Sequence, residues 1–216
     1  MRKLQLVLSI LIVLWCPFSI SAQRDFSSID AFLKSTLKGE DKLSLDAKGD
    51  LNSDGLEDWA GVIDRQKIDD PPTSQVYVLL RLSQGGYRVA EKSKEVALGG
   101  AGCCWVEGLE IRQSSIYIQN NMKERNTMQA STHQFKLYQG QWRLIGVSIS
   151  YTDLNSDPPL SSDVDMNLLT GSVIEKKQKG DDKPIASSRH KKFSAYFLKD
   201  FDFGFFNRFG EPFSTK

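Results

Sequence analysis

The chain opens with an apolar run that has positive charge before it and small residues after it. Arg2 and Lys3 precede the run from Leu4 to Trp15, and Ser19 to Ala22 follow it. This order is typical of a cleavable signal peptide, and about twelve apolar residues are fewer than the roughly twenty that a membrane-spanning helix needs. Residues 1–22 are therefore predicted to be a signal peptide, with an uncleaved anchor as the alternative. The mature protein is expected to be periplasmic or secreted, with no transmembrane segment.

A short amphipathic helix is predicted at the start of the mature chain. Ser27 or Ser28 can cap it, and Asp30 falls in its first turn, where the helix dipole favours negative charge. Gly39 is a suitable stop. The apolar positions share one helical face: Ile29, Phe32, Leu33 and Leu37.

From Leu43 onward the apolar pattern has a period of two, which is typical of strands with one buried face. Short Gly-containing turns separate the runs, as at Gln139-Gly140 and Thr170-Gly171. Such connections are too short for parallel crossovers. The expected fold is mainly β, an antiparallel meander forming a curved sheet or open barrel, with one short N-terminal helix. Residues 23–216 are expected to form a single domain.

Two segments interrupt the strand pattern. Residues 153–163 contain Pro158-Pro159 and are predicted to be a loop. Residues 176–192 contain Gly180, Pro184 and seven Lys and Arg residues, and this composition predicts a mobile, solvated loop. The alternative for the second segment is a basic patch that binds a partner.

The C-terminal region is unusually rich in phenylalanine. From Phe193 to Leu198 the pattern is that of a strand covered on both faces, and Phe193 to Phe203 are expected to fold back onto the sheet. Beyond Asp200, Gly and Pro residues disfavour regular structure. Any partner contact in this region is assigned to four aromatic residues: Phe205, Phe206, Phe209 and Phe213.

The charge balance excludes one class of partner. Removal of the two basic residues in segment 1–22 leaves 26 of the 28 Lys and Arg residues against 27 Asp and Glu, a net charge of −1. A near-neutral chain lacks the basic surface that nucleic acid requires, so no nucleic acid is expected as a partner.

The motif with the clearest chemistry is Asp50-Leu-Asn-Ser-Asp-Gly-Leu-Glu-Asp58. Calcium prefers six to eight oxygen ligands, and side chains that alternate around a tight turn can supply them. Gly55 permits the bend. The twelfth position is Gly61 where an EF-hand has Glu, so a helix-loop-helix site is excluded. The predicted calcium ligands are Asp50, Asn52, Asp54, the Leu56 carbonyl and Asp58; the alternative is an Asx-rich turn that binds nothing.

This loop, which leads into an apolar strand, resembles the calcium loops of FG-GAP and related bacterial β-repeat proteins. A wider set of segments resembles a group of exported bacterial proteins with no assigned activity, and the resemblance implies a calcium-associated β domain without identifying catalytic residues. The segments are residues 49–63, 108–118, 135–146, 165–171 and 199–203.

Cys103 and Cys104 are the mature cysteines, and they are adjacent. Neighbouring α-carbons lie about 3.8 Å apart, closer than a relaxed disulfide prefers. A strained bridge between them is the favoured prediction because exported proteins meet oxidising conditions. Two buried thiols or links to another chain are the alternatives.

Tests for an enzyme are negative or unspecific. No metalloprotease, nucleophile-elbow or phosphate-loop motif is present, and His133 is expected to be a core or surface residue. The favoured function is a non-enzymatic exported domain, stabilised by calcium, that binds a protein or envelope component, with an inhibitor or immunity-like role as one form of it. The alternative is a carboxylate-based hydrolase acting on a cell-wall or glycan substrate.

Overall fold

The structure is a computed structural model, and it describes residues 24–66, 71–97, 105–124 and 126–202. Several predictions fall on positions outside these described residues. They concern the signal peptide (residues 1–22), the pair Cys103 and Cys104, and the aromatic residues Phe205, Phe206, Phe209 and Phe213.

The described chain consists of one α-helix, thirteen strands and one 3-10 helix at Leu198–Asp200. In chain order the elements are β1 (Asp25–Phe26), α1 (Ile29–Thr36), β2 (Lys42–Gly49), β3 (Asp58–Arg65), β4 (Thr73–Arg81), β5 (Tyr87–Lys92), β6 (Val96–Ala97), β7 (Trp105–Arg112), β8 (Ser115–Glu124), β9 (Thr127–Tyr138), β10 (Gln141–Asp153), β11 (Leu160–Asn167), β12 (Ser172–Lys179) and β13 (Ile185–His190).

The strands form two antiparallel sheets, and most neighbours in a sheet are neighbours in sequence. The first sheet has the order β1-β5-β4-β3-β2, with β6 also paired to β4. The second sheet runs from β13 to β7 as an uninterrupted meander. Tight turns at positive φ, such as Gln113-Ser114 and Gln139-Gly140, join the strands. The mainly-β prediction with one short helix is confirmed, with the strands divided between two sheets.

The main core lies between the two sheets, because each sheet places every second side chain on its inner face. The first sheet contributes Ala60, Val62, Val76 and Val78, and the second contributes Ile116, Ile118, Phe135, Leu144, Val147, Ile149 and Val164 among others. Burial of one such aliphatic or aromatic side chain contributes about 1.5–3 kcal/mol, so this interface dominates the stability of the fold.

Helix α1 covers the opposite face of the first sheet. Ser28 caps it by accepting a hydrogen bond from the backbone N–H of Ala31 at 3.1 Å. Phe32 is buried and lies edge-on to the rings of Trp59 and Tyr77, at centroid distances of 5.7 and 5.3 Å. The predicted cap and apolar face of this helix are confirmed.

Residues 193–201, here called the closing segment, join the two sheets. Phe193, Tyr196, Leu198 and Phe201 are buried in the main core, as the sequence predicts for this part of the tail. The predicted strand is wrong, because only a single bridge between Phe197 and Arg143 pairs with the sheet. The 3-10 helix that follows contacts both β5 and β10.

The charged segment 176–192 forms a β-hairpin where the sequence predicts an irregular loop. Strands β12 and β13 pair from Ser172 with His190 to Lys177 with Ile185. The turn is held in place because the N–H of Gly180 donates to the carbonyl of Pro159 at 2.8 Å. The loop prediction is therefore wrong for most of this segment: charged side chains are tolerated where a strand has solvent on one face and an edge beside it. The loop predicted for residues 153–163 is shorter, residues 154–159, because β10 ends at Asp153 and β11 begins at Leu160.

Within the part of the chain that the structure describes, no helix has the length and apolar character needed to cross a membrane.

Candidate functional site

The candidate calcium loop, residues 50–57, connects β2 to β3 at a corner where the two sheets meet. Gly49 lies so close to β7 that a Cβ at this position would come within 2.6 Å of the Ile111 side chain. The hydroxyl groups of Ser53 and Ser114 are 3.1 Å apart, which links the loop to the β7–β8 turn. Ser53 and Gly55 adopt positive φ values of 63° and 81°. The loop is thus a contact between the two sheets as well as a turn.

The predicted ligand side chains converge inside the loop. The N–H of Asp54 donates to Asp50 Oδ1 at 3.2 Å and to Asn52 Oδ1 at 3.1 Å. Asp50 Oδ2 accepts a hydrogen bond from the N–H of Gly55 at 2.9 Å. Oxygens of Asp50 and Asn52 therefore share one donor, which brings them close together, as the spacing of the motif predicts.

Asp54 completes this arrangement. Its Oδ1 accepts a hydrogen bond from the N–H of Leu56 at 2.8 Å, and its Oδ2 accepts one from Asn52 Nδ2 at 2.8 Å. Asp54 is exposed, whereas Asp50 and Asn52 are half-buried, so one side of the loop faces solvent. Each carboxylate oxygen has two lone-pair sites, and one hydrogen bond leaves the other able to bind a cation.

Asp58 differs from the other predicted ligands, because it is fully buried. Its Oδ2 accepts a hydrogen bond from the N–H of Leu51, and its Oδ1 accepts one from the N–H of Arg81, both at 2.8 Å. Burial raises the pKa of Asp58; the two backbone hydrogen bonds oppose this rise, and the negative charges of Asp54 and Asp50 add to it. Asp58 therefore fastens the loop to β4, a contact that the sequence motif does not reveal.

The donor set fits a cation at Asp50, Asn52 and Asp54, with Asp58 behind them. Among the described residues, no three His, Cys, Asp or Glu side chains are grouped closely enough to hold a metal ion by themselves. A site here would consequently depend on the Asn52 amide oxygen, a backbone carbonyl such as that of Leu56, and water, as calcium sites commonly do.

A shallow depression of about 380 Å³ adjoins the loop, and no sequence pattern predicts it. Asn52 and Asp54 form one wall, and residues 82–84 of the β4–β5 turn form another. Arg88 also lines it and donates two hydrogen bonds to the Asp25 carboxylate, at 2.7 and 2.8 Å. Because its guanidinium already has a bidentate partner, this arginine contributes little free positive charge to the depression.

One pair of neighbouring carboxylates in the described residues lies on the outer face of the second sheet. Asp163 and Asp165 lie two residues apart on β11, which places their α-carbons roughly 7 Å from each other. They line a depression of about 330 Å³. Each accepts a hydrogen bond from a serine of β10, Ser150 at 2.6 Å and Ser148 at 2.9 Å.

The surroundings of Asp163 and Asp165 are too similar to make one carboxyl group an acid and the other a base. Both carboxylates are exposed and have the same type of partner, whereas glycoside hydrolysis requires two groups whose environments separate their pKa values. Among the carboxyl groups that the structure describes, burial raises the pKa of Asp58 and Glu91, and neither lies in this depression.

His133 is a core residue, as the sequence predicts. It is fully buried on β9, and its ring lies 5.1 Å from that of Phe201 in the closing segment. Burial lowers its pKa to about 4, so the ring is neutral near pH 7.

Searches against protein-family models, curated proteins and solved structures found no match for this chain.

Proposed function

We propose that this chain is an exported, calcium-stabilised β domain that binds a protein or an envelope component. The observation that carries the proposal is the convergence of Asp50, Asn52 and Asp54 on the Asp54 N–H in a loop that contacts both sheets. Calcium is the favoured ion because all the available donors are hard oxygens.

Asp50, Asn52 and Asp54 would hold the ion, with the Leu56 carbonyl, while the buried Asp58 keeps the loop in place through β4. The ion supplies positive charge among acidic groups that otherwise repel one another, as the effect of Asp54 and Asp50 on the pKa of Asp58 indicates. Because the loop is bonded to the β7–β8 turn, ordering it also stabilises the packing of one sheet on the other.

Binding is favoured over hydrolysis because the two carboxylates on β11 are both exposed and have the same type of partner. An acid and a base in one cleft would require unlike surroundings, and Asp163 and Asp165 have like ones. The exposed serine and carboxylate groups there are suited to contact with another surface, in which they exchange water for hydrogen bonds to a partner.

The metal half of the proposal is tested by thermal unfolding of the mature protein with calcium and with chelator. At a calcium concentration about a hundredfold above Kd, binding stabilises the fold by about 2.7 kcal/mol, equivalent to roughly 5–10 °C in Tm for a domain of this size. Asp54→Ala is expected to abolish the calcium-dependent difference. Asp157→Ala, in the same pentapeptide elsewhere in the chain, is the control and should keep it.

Equal melting temperatures for the wild-type protein in calcium and in chelator would contradict the metal assignment. The binding half is tested separately by affinity capture from an envelope fraction, with crosslinking and identification of the captured component. A hydrolase is supported instead if the protein releases sugars from cell-wall glycan and Asp163→Asn removes that activity.

A further inference from the structure

Strand β13 is an open edge of the second sheet. All six residues from Ile185 to His190 are exposed, and the strand pairs only with β12 among the described strands. At the other end of the same sheet, β7 packs against β2. The two edges of the sheet are therefore unequal, because one is covered by the protein itself and the other faces solvent.

The backbone groups that point away from the sheet can be assigned from one hydrogen bond. The N–H of Lys191 donates to the carbonyl of Gly171 at 2.8 Å, so these two residues form a hydrogen-bonded pair. Such pairs alternate along antiparallel strands, which makes Arg189, Ser187 and Ile185 the residues bonded to β12. The N–H and C=O groups of Ala186, Ser188 and His190 consequently face the open edge.

The edge is not blocked in the usual way. Natural edge strands are commonly protected by Lys or Pro within the strand. Here Lys183 and Pro184 precede β13, while the strand itself has one side chain of permanent charge, Arg189, which lies 3.3 Å from Glu175. Ile185 is 76 % exposed, so the strand also presents apolar surface.

Positive charge surrounds this edge on both faces of the sheet. Residues 172–192 contain seven Lys and Arg against three Asp and Glu, in a chain whose net charge is +1. Lys177 and Arg189 lie on the face of the buried Val173, whereas Lys176 lies on the opposite face, across from Asp163. A flat membrane would meet only one of these faces, whereas a strand along the edge would meet both.

The acidic residues of the hairpin indicate in which direction an acidic segment would lie along β13. Asp181 and Asp182 lie in the turn next to Ile185, and Glu175 already contacts Lys177 and Arg189. The basic residues beyond β13 are Lys191 and Lys192, at its far end. Negative charge on a docked segment is therefore best placed towards His190 and away from the turn.

We propose that the edge of β13 is a docking site for an acidic, extended segment of a partner protein, which adds to the second sheet as a further strand. Backbone hydrogen bonds to Ala186, Ser188 and His190 supply affinity, and the surrounding lysines select acidic side chains. This proposal rests on the protein-binding half of the proposed function and identifies the surface and the chemistry of the partner.

The test is titration of a labelled peptide of alternating glutamate and threonine, followed by fluorescence anisotropy, at low salt. A peptide of alternating lysine and threonine is the charge control. Ser188→Pro removes a donor that faces the edge but no bond to β12, whereas Ser188→Thr keeps the donor and is its matched control. Lys192→Glu changes charge without touching the strand.

The wild-type protein should bind the glutamate peptide more tightly than the lysine peptide, and added salt should weaken that binding. Ser188→Pro should weaken it by about tenfold, the effect of one lost hydrogen bond, while Ser188→Thr leaves it unchanged. Lys192→Glu should weaken it as well, and all variants should keep the melting temperature of the wild-type protein.

Equal binding of the two peptides, or full binding by Ser188→Pro, would overturn the proposal. Vesicles of phosphatidylglycerol and phosphatidylcholine provide the remaining arm, since binding that survives Ser188→Pro would assign the basic residues to a lipid surface. If the peptide fails but Ser188→Pro still captures the envelope partner, the docking site is wrong and the proposed function stands. If neither the wild-type protein nor any variant captures a partner, the proposed function itself fails.

Discussion

The same five residues, Asp-Leu-Asn-Ser-Asp, occur twice in this chain and adopt different structures. The first copy, residues 50–54, begins the loop between β2 and β3, and the second, residues 153–157, begins the connection between β10 and β11. Leu51 is 1 % exposed in the main core, whereas Leu154 is 49 % exposed. Identical local sequence therefore does not determine which side chain enters the core.

The hydrogen bonds of the two copies differ in the same way. Asp50 reaches forward to the N–H groups of residues 54 and 55 and closes a wide turn. Asp153 Oδ1 accepts its hydrogen bonds from Asn155, two residues on, through the N–H at 2.8 Å and Nδ2 at 3.0 Å. The first copy gathers its oxygens towards one another, and the second makes a short Asx turn.

The residue that follows each copy accounts for much of this difference. Gly55 has a φ of 81° and donates its N–H to Asp50. Pro158 can do neither, because proline has a fixed negative φ and no N–H. Position nine of the motif also differs: Asp58 fastens the first copy to β4, and Ser161 stands there in the second. Closure of the loop depends on residues outside the pentapeptide.

Truncation of Leu51 and of Leu154 should give the largest difference in the free energy of unfolding between the two copies. Leu51→Ala leaves a cavity in the main core and is expected to reduce the free energy of unfolding by about 2–5 kcal/mol. Leu154→Ala removes an exposed side chain and should change it by less than about 0.5 kcal/mol. Urea unfolding of both variants measures the difference, and equal losses would show that Leu51 is not a core residue.

The free energy of unfolding in these experiments is expected to depend on pH because His133 is buried as a neutral ring. Its pKa is lowered to about 4 in the folded protein, from 6.5 in the unfolded chain. Between these values the unfolded state binds the additional proton, so stability is complete above pH 6.5 and falls by about 3 kcal/mol as the pH drops to 4. His133→Gln should flatten this slope, whereas the exposed control His190→Gln should retain it. A slope that survives in His133→Gln would assign the acid sensitivity to other groups.

The smallest expected effect concerns the glycine that distinguishes the loops. Nothing lies within 4 Å of a Cβ built on Gly55, so Gly55→Ala should cost only the strain of its positive φ, about 1 kcal/mol. Gly55→Asn should recover part of that loss, since Asn tolerates this conformation. Chemical denaturation compares the two variants; a similar loss in both would indicate that the Cβ itself is excluded.

Local features of this fold follow from the sequence because they involve neighbouring residues. The Ser28 cap, the buried Phe32 and the turn at Gln139-Gly140 are all signalled within a few positions. The division into two sheets is not, since the contact between Ser53 and Ser114 joins positions 61 residues apart. Strand β13 was missed because its alternation carries no apolar signal: every one of its side chains is exposed.

The candidate site, too, has a part that sequence spacing predicts and a part that only the fold determines. Spacing alone brings Asp50, Asn52 and Asp54 together, and the structure places them within one small turn. The position of Asp58 is set by the N–H of Arg81, a group on another strand that no spacing rule includes. Sequence motifs predict which oxygens share a loop, whereas the fold decides which of them remain available to a ligand.

The closing segment has a consequence for the order in which the chain can fold. Most strand pairings in both sheets join sequence neighbours, and such pairings form rapidly because little loop entropy opposes them. Phe201, by contrast, meets Phe135 at 5.1 Å and shares a core with Val62, far back in the sequence. During synthesis both sheets emerge before this segment does, so the part of the core that Phe193, Tyr196, Leu198 and Phe201 fill stays open until the segment arrives. Completion of the core is thereby tied to a segment that is synthesised after both sheets.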